Sequence, residues 1–169
     1  ISYPAGLPGF EGMVKEIYRL NGTALSDSEI EHEAFMRGQF DATLDLLERR
    51  LPGQRLAVRR ALAQALNPRL RRKGATDTQA ALLRLARSRE GALRLVTTNF
   101  DRIFHVAAKR TGQMFQDHAA PMLPIPKNSR WNGLVYLHGL LPEKVDDTAL
   151  NRLVVTSGDF GLAYLTERW

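Results

Sequence analysis

The chain has 169 residues, 44% of them hydrophobic and 25% charged, with a formal net charge of +6 and no cysteine. That length suits one domain able to bury roughly two-thirds of its unfolded surface. The missing thiols exclude disulfides and any thiolate zinc site. No apolar run approaches the roughly 18 residues a membrane-crossing helix needs, and no charged-then-apolar leader opens the sequence, so the expected location is the cytoplasm, with no membrane partner.

The opening decapeptide ISYPAGLPGF reads as a loop, with Pro4, Gly6, Pro8 and Gly9 as landmarks. From Phe10 the pattern is helical: Phe10, Met13, Val14, Ile17 and Tyr18 recur at spacings of three and four and share one stripe. Ser26 or Asp27 is the expected N-cap of SEIEHEAFMRG. Asp41 to Arg50 continues as helix until Pro52-Gly53, Arg55 to Leu66 follows until Asn67-Pro68, and Asp77 or Thr78 starts another helix.

Charge along these helices is unevenly placed. Residues 11–48 carry nine acids and three bases, whereas 49–89 carry twelve Arg and Lys against one acid, Asp77. A basic band of that density meets a nucleic acid or another acidic surface. It has no interleaved aromatics on which bases would stack. The favoured expectation is therefore a solvated helix face packed against the preceding acidic stretch, with nucleic acid a less favoured partner.

The texture changes at Ala92. ALRLVTTNF is a short apolar, β-branched run of the kind that forms a buried parallel strand, and Asp101 to Arg110 returns to helix. PMLPIPKNSRW reads as loop, LVYLHG and RLVVTS as two further core strands, and Ser157 as the cap of a final helix running to Trp169. Helices followed by strand, helix, strand, strand and helix predict an α/β fold. The expectation is an incomplete Rossmann-like parallel sheet over 91–169, with a large helical insertion over 13–90, in one domain of 1–169. Both ends read as cut, because Ile1 begins within a turn and Trp169 ends an uncapped helix.

Ligands of open α/β sheets sit beyond the carboxyl ends of the strands. Two polar clusters fall there: Thr98, Asn99 and Asp101 after LRLV, and His138 with Gly139 after LVYL. A carboxamide orients a hydroxyl or water, and a histidine accepts a proton near neutral pH. Each also has a structural reading: Asn99 or Asp101 would cap the helix that follows, and a strand-end histidine often serves only the fold. His32 and His105 fall on helices and His118 in a loop, and none is given a role; no His/carboxylate spacing fits a metal site.

Three patches, in order, resemble the sirtuin-like family of NAD-consuming proteins. Ile1, Ser2, Ala5, Gly6, Leu7, Pro8 and Phe10 are similar to the segment that follows the family's Gly-Ala-Gly loop. Thr97, Asn99 and Asp101 match its Thr-Gln-Asn-x-Asp motif with Thr98 in place of Gln, and Leu137, His138 and Gly139 match its Leu-His-Gly. The resemblance implies that Asn99 holds the nicotinamide ribose or the attacking water and that His138 acts as base through ribose hydroxyls. It implies that Asp101 binds the nicotinamide carboxamide, with Ile1, Ser2, Leu7, Pro8, Phe10 and Thr98 on the cofactor side.

The departures point to one branch. Sirtuin deacylases carry a four-cysteine zinc module, and this chain has no cysteine; Gly9 and Glu11 stand where Asp and Arg are usual. The chain is thus similar to zinc-less bacterial sirtuin-like domains that hydrolyse NAD in anti-phage defence. The implied activity is NAD glycohydrolysis to nicotinamide and ADP-ribose, with fused sensor domains and a homo-oligomeric parent protein as implied partners. The alternatives are a non-hydrolytic NAD or ADP-ribose-binding regulatory domain and, behind it, an NAD-dependent deacylase.

Overall fold

The computed structural model describes residues 1–123 and 131–166. In chain order it contains a 3-10 turn at Tyr3–Ala5, helix α1 at Phe10–Leu20 and a second 3-10 turn at Leu25–Asp27. Helices α2 (Glu29–Met36), α3 (Phe40–Arg50), α4 (Gln54–Ala65) and α5 (Asp77–Leu85) follow. Strand β1 (Arg94–Thr97), helix α6 (Ile103–Arg110), and strands β2 (Asp117–Ala119) and β3 (Gly133–Tyr136) come next. Helices α7 (Asp147–Asn151) and α8 (Ser157–Phe160) precede a π turn at Gly161–Thr166. No helix among the described residues is long and apolar enough to cross a membrane.

These elements form two compact units. The first joins Ile1–Leu7 to Pro68–Leu141, and the second joins Pro8–Asn67 to the described part of Pro142–Arg168. Helix α5, inside the stretch expected to be the insertion, lies with the sheet; residues 142–166, inside the stretch expected to be Rossmann-like, lie with the helices.

The first unit is α/β, an incomplete Rossmann-like arrangement around a parallel sheet ordered β1-β3-β2. Arg94 pairs with Gly133 and Thr97 with Tyr136, so β1 and β3 end level with each other. Strand β3 is buried throughout, whereas β1 is an edge strand with Val96 49% exposed. Leu134 and Tyr136 of β3 pack with Phe104, Ala107 and Ala108 of α6, with Ala80 and Leu83 of α5, and with Leu93. Each fully buried leucine here contributes about 1.5–3 kcal/mol of transfer free energy.

The second unit is helical. Met13, Val14, Ile17 and Tyr18 of α1 are buried, along with Leu44, Leu47, Val58, Leu62 and Leu150. Phe10, the fifth member of the predicted α1 stripe, is 45% exposed but lies 5.6 Å from the Phe40 ring.

The first part of the basic band, Arg49 to Arg60, is neutralised inside this unit. Arg49 pairs with Asp45 at 2.6 Å, Arg50 with Glu31 at 2.7 Å, Arg59 with Glu48 and Asp159, and Arg60 with Asp147. Arg59 is fully buried, which removes it from any nucleic-acid face.

Several local expectations are corrected. RLVVTS is not a strand: Leu153 to Thr156 are buried, but Val155 and Thr156 donate their N–H groups to Asp159 Oδ2 at 2.9 and 3.0 Å. Arg55 takes the carbonyls of Asn151 and Leu153, so side chains satisfy this backbone in place of a neighbouring strand. Thr156, not Ser157, caps α8, in a reciprocal capping box with Asp159. Ser28, not Ser26 or Asp27, caps α2, and Asp27 instead accepts from Thr23 Oγ1 and the Ala24 N–H in the turn before it. His118 lies in β2 rather than in a loop. Residues 124–130 of the Pro-rich passage and 167–169 of the final helix lie outside the described residues.

Candidate functional site

The site is built at the carboxyl end of β1, where the chain leaves the sheet polar group by polar group. The Thr97 side chain, 8% exposed, accepts the Asn99 N–H at 3.1 Å and so turns the backbone over the strand end. Asp101 is 4% exposed and accepts the Ile103 N–H at 3.0 Å, serving the first residue of α6 in the helix-capping manner. Its other oxygen accepts from Asn99 Nδ2 at 3.1 Å and from the Ser2 hydroxyl at 2.9 Å.

Ser2 is the joint of the cluster. Its hydroxyl donates to Asp101 and accepts from Asn99 Nδ2 at 3.0 Å and from Gln79 Nε2 at 3.3 Å. One donor and two acceptor positions are all a hydroxyl has, so Ser2 is fully engaged. The carboxylate of Asp101 only accepts, which forces the Asn99 amide to present Nδ2 inward. Asn99 is half-buried, and its Oδ1 takes no hydrogen bond from the described residues. The amide is therefore fixed with one acceptor turned outward.

The β3 end lies alongside. Leu137 donates its N–H to the Thr97 carbonyl at 2.9 Å, and Leu141 donates to the Phe100 carbonyl at 2.9 Å. The two strand-end loops are thus hydrogen-bonded to each other, with Asn99 and His138 each two residues beyond a register-paired position. The His138 ring stands 5.9 Å from the Phe100 ring. Gly139 has φ +91°, a left-handed conformation that a side chain would strain, and this is why the loop turns at glycine. Burial holds the His138 imidazole below the usual histidine pKa, favouring the neutral form that accepts a proton. In β3, burial pushes the Tyr136 hydroxyl well above its usual range.

The remaining predicted residues are spread. Ile1 and Thr98 are exposed. Leu7 is core, packed with Ala5, Ala75 and Ile103. Pro8 and Phe10 belong to the second unit, where Phe10, Gly38, Phe40, Asp41 and Phe160 line a cavity of about 310 Å³. Gln79 is the participant that sequence reasoning missed. It shares the buried face of α5 with Ala80 and Leu83, and a polar residue in an apolar-face position was the available signal.

The sequence profile of the SIR2-like domain family matches residues 93–169. The match begins one residue before β1 and spans both strand-end motifs, so this part of the chain is similar to SIR2-like domains. The uncharacterized protein y4cA of Sinorhizobium fredii is 32% identical over 171 residues, covering 96% of this chain and 14% of its own length. The chain thus spans a small part of the relative it matches. No solved structure matches.

Proposed function

We propose that this domain binds NAD across the joined β1 and β3 loops and, within a longer protein, hydrolyses it to nicotinamide and ADP-ribose. The observation that carries the reading is the Asn99 amide, locked by Asp101 and Ser2 with Oδ1 outward, beside a loop bearing a histidine held neutral. An outward acceptor aligns the O–H of a water or ribose hydroxyl. The water oxygen bonds to ribose C1′ as the C1′–N bond breaks and nicotinamide leaves with its electron pair. The proton lost from water passes to His138, relayed by ribose hydroxyls. Positive charge develops on the ribose in the transition state, and the buried Asp101 carboxylate behind Asn99 favours it electrostatically.

Asp101 is in this reading a positioning residue. Three donors of the chain fill both acceptor positions of its Oδ2 and one on Oδ1, so contact with the nicotinamide carboxamide is confined to the position left on Oδ1. Ile1 and Thr98 stand at the exposed rim. Deacylation is disfavoured by the lack of cysteine for a zinc module. Fused sensor domains, homo-oligomerisation and a role in anti-phage defence are part of the same proposal for the parent protein.

The test is NAD consumption by the intact parent protein, with nicotinamide release followed by chromatography. Asn99→Ala and His138→Ala should each lower turnover by about 10²–10⁴-fold. Turnover that survives both changes sinks the reading, and tight ADP-ribose binding with intact NAD identifies a regulatory binder instead.

A further inference from the structure

The turn after α4 crowds four cations without acidic partners. Arg69, Arg71, Arg72 and Lys73 are all exposed, and none of them forms an ion pair among the described residues. This contrasts with Arg49, Arg50, Arg55, Arg59 and Arg60, each matched to a carboxylate.

The turn is fastened to the opening loop of the same unit. The Arg69 N–H donates to the Ala5 carbonyl at 2.7 Å. Gly6 adopts φ +78°, and a Cβ built there would stand 3.1 Å from Arg72 Nη1 and 3.3 Å from Arg69 Cδ. A guanidinium therefore lies over Gly6. Four residues earlier, Ser2 sits in the Asn99 network, and the two are joined by one tight turn, with Ala5 N–H to Ser2 O at 3.1 Å and Gly6 N–H to Tyr3 O at 2.8 Å. At about 2 Å per residue such a turn spans roughly 8 Å.

We propose that Arg72, supported by Arg69, binds the pyrophosphate of the dinucleotide whose nicotinamide ribose meets Asn99; this rests on the NAD reading above. An unpaired, exposed guanidinium offers a planar fork matched to two phosphate oxygens. The spacing from Ser2 to Gly6 sets that fork one short turn from the amide, as a ligand with a sugar at one end and phosphates at the other requires. A nucleic-acid backbone is the weaker fit. It calls for a longer cationic track with stacking aromatics, and here Arg59 is buried and Arg60 is paired with Asp147.

The experiment measures equilibrium binding of ADP-ribose and of nicotinamide riboside, which has no phosphate, to the intact protein. Arg72→Gln should weaken ADP-ribose about tenfold, and more with Arg69→Gln added, while riboside affinity stays unchanged. Arg72→Lys, which keeps the charge and leaves the fold undisturbed, should lose less than Arg72→Gln. ADP-ribose affinity indifferent to Arg72, or equal losses for both ligands, overturns the assignment. So does unchanged ADP-ribose affinity with loss of salt-sensitive duplex DNA binding. Arg72-dependent ADP-ribose binding in a protein that leaves NAD intact would remove the hydrolysis reading and keep this one. Normal hydrolysis with Arg72-independent affinity would do the reverse.

Discussion

Replacing Ser2 with Ala deletes a single hydroxyl, yet three side chains depend on it. Asp101 loses a charge-assisted donor at 2.9 Å but keeps Asn99 Nδ2 and the Ile103 N–H. Gln79, only 1% exposed, loses its Ser2 acceptor, and a stranded buried amide costs about 1–3 kcal/mol. Together the losses come to about 3 kcal/mol. For a chain of this size, 2–4 °C of melting temperature accompanies each kcal/mol, so Ser2→Ala should melt about 6–12 °C lower. Asn99 keeps its bond to Asp101 at 3.1 Å, so the amide retains its sense while losing one of two restraints. NAD turnover by the intact protein should then fall about tenfold, less than for Asn99→Ala. Adding Gln79→Met removes the stranded amide and should recover part of the lost stability, a non-additivity expected of touching residues. Melting curves followed by circular dichroism, alongside NAD consumption, read both effects. A Ser2→Ala protein that melts within about 1 °C of wild type and turns over normally refutes the joint assigned to Ser2.

The buried Arg59–Asp159 pair yields a second prediction: Asp159→Ala should destabilise by about 3–5 kcal/mol, because it leaves a fully buried guanidinium with Glu48 alone. Arg59→Met combined with Asp159→Leu should cost far less, and thermal melts of the three proteins decide. Burial alone would raise the Asp159 pKa, but the Arg59 charge, the Val155 and Thr156 N–H groups and Arg55 hold it below the usual carboxylate range. Its stabilisation is therefore complete above about pH 4 and lost as pH falls through the lower folded value, so Asp159→Asn should flatten the acid limb of melting against pH. For His138, lowered by burial, the neutral base persists below the ordinary pKa of about 6.5. The acid limb of kcat/KM for NAD should accordingly have its midpoint below about 6.5 and vanish in His138→Gln, and a midpoint at or above that value would contradict the assignment.

Strands β1 and β3 were legible because each is a β-branched apolar run whose identity is local: RLVT and GLVY. Strand β2 was not, since Asp117, His118 and Ala119 have neither periodicity nor hydrophobicity and gain strand geometry only by pairing with Leu134 to Tyr136. LVVT carries an equally strong strand signal and still forms none. Its N–H groups are taken by a carboxylate four residues on and its neighbouring carbonyls by Arg55, so a tertiary solution overrides propensity. The basic band misled in a related way: composition places arginine outside, whereas Arg59 is buried because Glu48 and Asp159 converge on it.

The same distinction governs the site. Asn99, Asp101 and His138 declare themselves because the end of a parallel strand is a position that sequence can mark. What orients them cannot be marked so. The Ser2–Asp101 bond closes 99 residues of chain, and Gln79 reaches Ser2 across 77. Neither partner is determined by its neighbours in sequence, only by the packing of α5 and α6 on β3 that brings them together. An amide whose direction is set by a buried carboxylate and a saturated hydroxyl cannot rotate to suit a different ligand without breaking both bonds. In the proposed NAD reading, the polar cluster therefore selects for a ligand that donates at Asn99 Oδ1, and a water or a sugar hydroxyl satisfies that demand where a carbonyl does not.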